Sequence, residues 1–294
     1  MEDMDEMNEN NKLMNDNNNN NDSQIETNSK KNKIKIIIFL LLLILIIAFT
    51  IIVIIILLKD DNNNNDSPSK KDDDPSHVYI EPSSGIHTHT IIFMPGLTNT
   101  PEDFIPALTE KLPYNKKNTT KLVILRSQLH EVTVLNGTQN YSWFDIYYFP
   151  MNSSDSFNFE DLKKSSDLLK DIIEEEVEKL DQNYDKIIVG GHSQGAMLSL
   201  YTGYTFKNKL GGVVALSGAL PPIKKEDISP DKKNLNVFYV YGDSDDIISP
   251  KYLNESINEI KDFEGLNVTI YPNHAHYVNR QEWEDAGAFL DNIM

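Results

Sequence analysis

Hydrophobic positions along the chain fall into three regimes. Up to Lys33 aliphatic residues are sparse and asparagine dominates, as in the run Asn17–Asn21. Such a stretch buries too little apolar surface to offset its ordering entropy, so residues 1–33 read as a disordered, Asn-rich acidic tail. Ile36–Leu58 is the opposite: Ile, Leu, Val, Phe and Ala interrupted only by Thr50, with no charge. As a helix it would run about 34 Å, enough for a hydrocarbon core of ~30 Å. It is longer than the apolar region of a cleaved leader, usually about 7–15 residues. Residues 34–58 are therefore expected to form a transmembrane signal-anchor helix. Lys30, Lys31, Lys33 and Lys35 precede it, whereas Lys59 is followed by Asp60 and Asp61. The excess of nearby lysine on the amino side predicts a single-pass type II arrangement, with everything after the anchor lumenal or extracellular. Residues 59–76, rich in Asn, Asp, Ser, Pro and Lys, read as a polar linker.

From His77 to Met294 the pattern alternates between two periods. Short β-branched runs occur at Thr90–Met94, Lys121–Leu125, Lys186–Val189, Gly212–Leu216, Asn236–Val240 and Leu266–Ile270. Nearly continuous apolar runs of this length suit strands covered on both faces. Between them, Phe159–Leu180 sets Leu162, Leu169, Ile173, Val177 and Leu180 on one helical stripe, opposite Lys and Glu. Thr100-Pro101-Glu102-Asp103 and Ser249-Pro250 carry helix-start signals. Strand–helix alternation predicts one α/β domain over residues 77–294, a mostly parallel central sheet with helices on both faces.

Composition narrows the chemistry. The 294 residues include 27 Lys+Arg against 45 Asp+Glu, a net charge of −18. That argues against a broad nucleic-acid surface, which needs clustered cations. With no cysteine, a disulfide scaffold, a thiol nucleophile and a Cys-ligated zinc are excluded. Asn-x-Ser/Thr sequons at Asn65, Asn118, Asn136, Asn140, Asn152, Asn254 and Asn267 agree with a lumenal domain, although an Asn-rich chain generates sequons by chance.

The most informative string is Gly190-Gly191-His192-Ser193-Gln194-Gly195. It places Gly-x-Ser-x-Gly between a predicted strand and a predicted helix, where glycines permit the sharp turn that exposes a serine hydroxyl. The amide after that serine points at a developing oxyanion. Serine is a weak nucleophile, so a base must stand beside it and a carboxylate must orient the base. In α/β sheets such groups gather beyond the carboxyl ends of strands. Past the Asn236–Val240 strand lies Gly242-Asp243-Ser244-Asp245-Asp246, and past the Leu266–Ile270 strand lies Asn273-His274-Ala275-His276. Ser…Asp…His is the chain order of α/β-hydrolases. His87 and His89 lack a third ligand and read as surface residues rather than a metal pair.

These residues, together with Gly96-Leu97, Val132-Thr133, Ser142-Trp143-Phe144-Asp145, Leu198–Thr202 and Ala215–Gly218, resemble the acyl-protein thioesterase, lysophospholipase and small carboxylesterase group of α/β-hydrolases over residues 90–292. The resemblance implies an α/β-hydrolase fold, no cofactor, and cleavage of carboxylic esters or thioesters of lipids or acylated proteins. It implies Ser193 as nucleophile, His276 as base in preference to His274, and Asp245 as acid in preference to Asp243 and Asp246. Leu97 and Gln194 would supply the oxyanion amides, and Leu135, Trp143 and Phe144 pocket walls beside Leu97. The family's His-Gly-Leu-Gly-Asp is Pro95-Gly96-Leu97-Thr98-Asn99 here, and Thr98 in place of glycine is expected to stiffen or reshape the acyl-side wall. Two other readings stand beside an acyl-protein thioesterase or lysophospholipase: a carboxylesterase for non-lipid esters, and an inactive hydrolase fold serving as a membrane-tethered binding module.

Overall fold

Alternating side chains along five strands divide the interior into two layers, and the architecture follows from that division. The structure is a computed structural model that describes residues 77–294. A central sheet is formed by β1 (His77–Ile80), β2 (His89–Met94), β3 (Thr120–Leu125), β6 (Ile187–His192), β7 (Gly212–Leu216), β8 (Val237–Gly242) and β9 (Leu266–Tyr271). Its strand order is β1-β3-β2-β6-β7-β8-β9. Only β1 runs antiparallel, pairing His77 with Leu125; the other neighbours are parallel. A separate hairpin, β4 (Gln128–Val132) and β5 (Thr138–Ser142), pairs Gln128 with Ser142.

Ile92, Met94, Val123, Val189, Val213, Ala215, Val237 and Tyr239 project to one face. There they meet α2 (Phe159–Glu178), α3 (Gln194–Thr205) and α4 (Pro250–Ser256) through Leu169, Ile173, Ala196, Met197 and Leu253. Ile91, Phe93, Leu122, Ile124, Ile188, Val214 and Phe238 project to the other face, against Trp283, Ala286 and Leu290 of α5 (Arg280–Ile293) and the segment after α1 (Pro101–Pro106). The six strands expected from apolar runs are all present, with bounds shifted by at most three residues. β1, the hairpin and α5 were outside that expectation. The hairpin sequences Gln128–Val132 and Thr138–Ser142 are polar because four of the five residues in each are at least partly exposed.

Among the described residues no helix is long and apolar enough to cross a membrane. The longest, α2, has 20 residues and is amphipathic, burying Leu162, Leu169, Ile173 and Val177, with Glu176 the one charged residue on its buried face. The tail, the expected anchor Ile36–Leu58 and the linker lie outside the described residues.

Candidate active site

The turn between β6 and α3 forces Ser193 to φ 56° and ψ −117°, a conformation L-residues seldom hold. The chain can make that turn only with glycine on either side. A Cβ on Gly195 would lie 1.9 Å from the Met94 carbonyl oxygen, and one on Gly191 2.4 Å from the Gly195 carbonyl carbon. Ser193 Oγ lies 2.8 Å from His276 Nε2, and His276 Nδ1 lies 2.7 Å from Asp245 Oδ2. An ionised carboxylate only accepts, so Nδ1–H donates to Asp245 and Nε2 is left to accept the serine proton. The other oxygen of Asp245 accepts the Ile247 and Ile248 amides at 2.9 and 2.8 Å. The carboxylate, 5% exposed, is thus fully engaged.

The alternatives for acid and base stand elsewhere. Asp246 is exposed. Asp243 accepts the Asn273 amide at 2.6 Å and so ties the acid loop to the base loop. His274 is buried and donates through Nε2 to the Tyr277 carbonyl (2.7 Å) and to Glu282 (2.9 Å). Burial pushes the Glu282 carboxyl above its ordinary value, against the opposing pull of the Asn279 amide and His274.

His192 packs on the base, its ring centroid 5.1 Å from that of His276. Both its ring nitrogens are shielded and without a hydrogen-bond partner. Burial first, and the neighbouring His276 second, pull its pKa down to about 3. A neutral ring therefore backs His276 at any pH near neutrality.

The Leu97 loop passes close to Ser193: a Cβ on Gly96 would sit 3.2 Å from Ser193 Cβ. Gln194 opens α3, so its amide has no acceptor within the helix. Leu97 and Leu135 are half-buried. Phe144 is fully buried and packs on Phe157 at 5.2 Å, as a core aromatic. Trp143, 5% exposed, borders a cavity of about 450 Å³ with Leu125, Arg126, Leu168 and Ile172.

Sequence reasoning missed several polar side chains around the site. The Gln194 amide group is buried and bonded to Ser142, Trp143 and Phe144. Asp145 grips Thr133 with both oxygens, at 2.7 Å to its amide and 2.6 Å to its hydroxyl. The Ser-Trp-Phe-Asp string, noted for its resemblance, was the signal present for both. No group of three or more His, Asp or Glu among the described residues is arranged to hold a metal ion. His87 pairs with Thr90 and His89 with Thr88. His89 is buried rather than on the surface, and that burial, with Lys116 and Lys186 nearby, lowers its pKa to about 4.

The profile of the Phospholipase/Carboxylesterase family matches residues 75–294. Acyl-protein thioesterase 1 of Debaryomyces hansenii is 32% identical over 212 residues, covering 69% of this chain and 90% of that protein. Acyl-protein thioesterase 1 of Mycosarcoma maydis is 30% identical over 233 residues, covering 73% and 95%. The crystal structure of Arabidopsis thaliana SOBER1 superposes with a TM-score of 0.64 at 19% identity, covering 70% of this chain and 98% of that one, a likeness of fold.

These relatives overturn the placement as a single-pass type II membrane protein with a lumenal or extracellular catalytic domain. They are acyl-protein thioesterases matched over nearly their whole length. The placement rested on the flanks of one apolar run outside the described residues and on sequons that the composition generates freely. The membrane partner and the glycosylated state inferred from it are withdrawn with it.

Proposed function

The chain belongs to the phospholipase/carboxylesterase family and is a serine ester or thioester hydrolase; from that premise we propose that it is an acyl-protein thioesterase working through an acyl-enzyme on Ser193. The observation that carries this reading is the unbroken hydrogen-bonded line from Ser193 Oγ through His276 to Asp245. In the first step His276 Nε2 takes the Ser193 proton as Oγ attacks the acyl carbonyl carbon. The carbonyl electrons move to oxygen, and the Leu97 and Gln194 amides receive that charge, one such donor being worth about 2.7–4 kcal/mol. His276 returns the proton to the departing thiolate or alkoxide as the tetrahedral species collapses to the Ser193 ester. Water, deprotonated by the same nitrogen, repeats the sequence and releases the acid. Asp245 keeps Nδ1 protonated and stabilises the imidazolium that forms twice per turnover.

The thioester substrate is supported by the names of the relatives, acyl-protein thioesterases; oxygen esters of lipids follow the same chemistry. Leu97 and Leu135 are the proposed acyl-side walls. Ser193→Ala should keep the fold and lower hydrolysis of p-nitrophenyl acetate about 10⁶-fold, while wild-type protein takes a fluorophosphonate on Ser193. Undiminished turnover in the variant would remove the assignment. A chain-length series of thioesters and oxygen esters separates an acyl-protein thioesterase, which should prefer long-chain thioesters, from an esterase of small non-lipid substrates.

A further inference from the structure

The two sequence motifs that mark this chain, Gly-x-Ser-Gln-Gly and Ser-Trp-Phe-Asp, lie about fifty residues apart, and in the structure they are stitched together. The Gln194 side chain accepts the Trp143 amide at 3.1 Å and donates to Ser142 Oγ at 3.0 Å and to the Phe144 carbonyl at 2.7 Å. That uses the carbonyl oxygen and both N–H groups of one buried amide. Ser142 Oγ closes the ring by donating to Phe144 O at 2.6 Å. On the other side of the same segment, the Trp143 indole N–H donates to the Pro95 carbonyl at 2.8 Å, and the Tyr141 carbonyl accepts the Thr98 amide at 2.8 Å. Trp143 is in turn held on α2, where Ser165 Oγ donates to its carbonyl.

We infer that Tyr141–Phe144 is a brace that sets the separation of the two oxyanion donors, with the Gln194 side chain and the Trp143 indole as its positioning groups; this rests on the assignment of the Leu97 and Gln194 amides as those donors. The segment grips the loop 95–98 on both sides of Leu97. It grips Gln194 by its side chain, which turns the first residue of α3 and with it the amide that follows the nucleophile. The two donors come from different elements, the loop after β2 and the start of α3. Their separation is fixed through the third element. The bonds are buried, where an unpaired amide is costly, so the arrangement resists loosening.

Trp143→Phe removes the indole N–H and retains the ring; Gln194→Met removes the amide group and retains its length and its backbone N–H. Neither substitution touches Ser193, His276 or Asp245. Each is measured for kcat per active site titrated with a fluorophosphonate, for KM, and for inhibition by a trifluoromethyl ketone, which forms a tetrahedral adduct. A donor displaced by a fraction of an ångström retains part of its effect, so kcat should fall about 10- to 100-fold. KM should stay within about threefold and ketone affinity should fall in proportion to kcat. A merely structural role would lower the titrated fraction and the melting temperature while leaving kcat per site and ketone affinity unchanged, and that result would overturn the brace. If Trp143→Phe fails to fold, Gln194→Met alone decides the matter. Wild-type protein that takes no phosphonate on Ser193 would defeat the assignment of the site itself, and the brace with it.

Discussion

Thr98 sits at φ 67°, in the left-handed region that a β-branched residue occupies only at a cost of roughly 1–2 kcal/mol. It is held there because the loop must bring Gly96 against Ser193 while the Thr98 amide reaches Tyr141. The sequence marked the position as a departure from a family glycine but gave no sign of which cost follows; the φ angle supplies it. The Thr98 side chain is exposed. Thr98→Gly should therefore remove strain and raise stability by about 0.5–1 kcal/mol, net of the greater freedom of glycine in the unfolded chain. That corresponds to roughly 1–4 °C in melting temperature for a domain of this size. A lower melting temperature would show that the threonine side chain makes a compensating contact. Ser193 holds a positive φ as well, but there the strained turn is what lifts the hydroxyl toward His276, and no relief is expected from altering it.

Ser193, Asp245 and His276 follow strand ends, and the loops after β8 and β9, which carry Asp245 and His276, are joined to each other. Gly242 packs against the His274 backbone so closely that a Cβ would lie 1.9 Å from its carbonyl oxygen. The Ser244 amide donates to His274 O at 3.0 Å, and the Asn273 amide to Asp243. Behind the base loop, Glu282 serves twice: it receives the Asn279 amide at 2.7 Å in the capping box that starts α5, and it receives His274 Nε2. Removing it would leave the half-buried Asn279 amide without its acceptor and His274 Nε2 with the Tyr277 carbonyl alone. Glu282→Ala should cost about 2–3 kcal/mol, whereas Glu282→Gln, which keeps an oxygen acceptor, should cost under about 1 kcal/mol. Urea unfolding at constant m-value distinguishes the two; equal losses would mean that the charge, not the acceptor, holds the loop. That Ser193, Asp245 and His276 meet was legible because each follows an apolar run that ends at the same edge of the sheet. Gln194, Asp145 and Glu282 were not legible in these roles, since their side chains bind partners that only the folded loops bring near. Glu282 also belongs to α5, whose buried stripe of Trp283, Ala286 and Leu290 is interspersed with charge.

Across the whole molecule the two-layer core was readable from strand periodicity, because buried parallel strands must be apolar on both faces. The ionic cluster between α2 and the sheet was not readable. Glu176 of α2, 1% exposed, faces the sheet and receives Lys121 of β3 at 2.9 Å and Lys179 at 2.7 Å on one oxygen. Thr90 of β2 approaches the other oxygen at 3.4 Å. Burial alone would raise its pKa, but hydrogen bonds and charge from the two lysines outweigh that and hold it below the ordinary 4.5. The sign of the pH dependence follows. Near and below pH 4.5 the unfolded chain takes up this proton before the folded one does, so acid favours unfolding. The contribution is complete above that range and disappears as pH falls through the lowered folded value. Glu176→Gln takes the buried counter-charge from Lys121, at 6% side-chain exposure, and leaves it the exposed Glu81 carboxylate at 3.6 Å and the Tyr79 ring at 5.0 Å beside a neutral amide. The loss at pH 7 should be about 3 kcal/mol, at the lower end for breaking a buried pair. Urea titrations of wild type and variant at pH 7, 5, 4 and 3 should show that difference hold to about pH 5 and narrow below pH 4. A gap that stayed constant down to pH 3 would mean that Glu176 is held by packing, and that the link between α2 and the sheet does not depend on its charge.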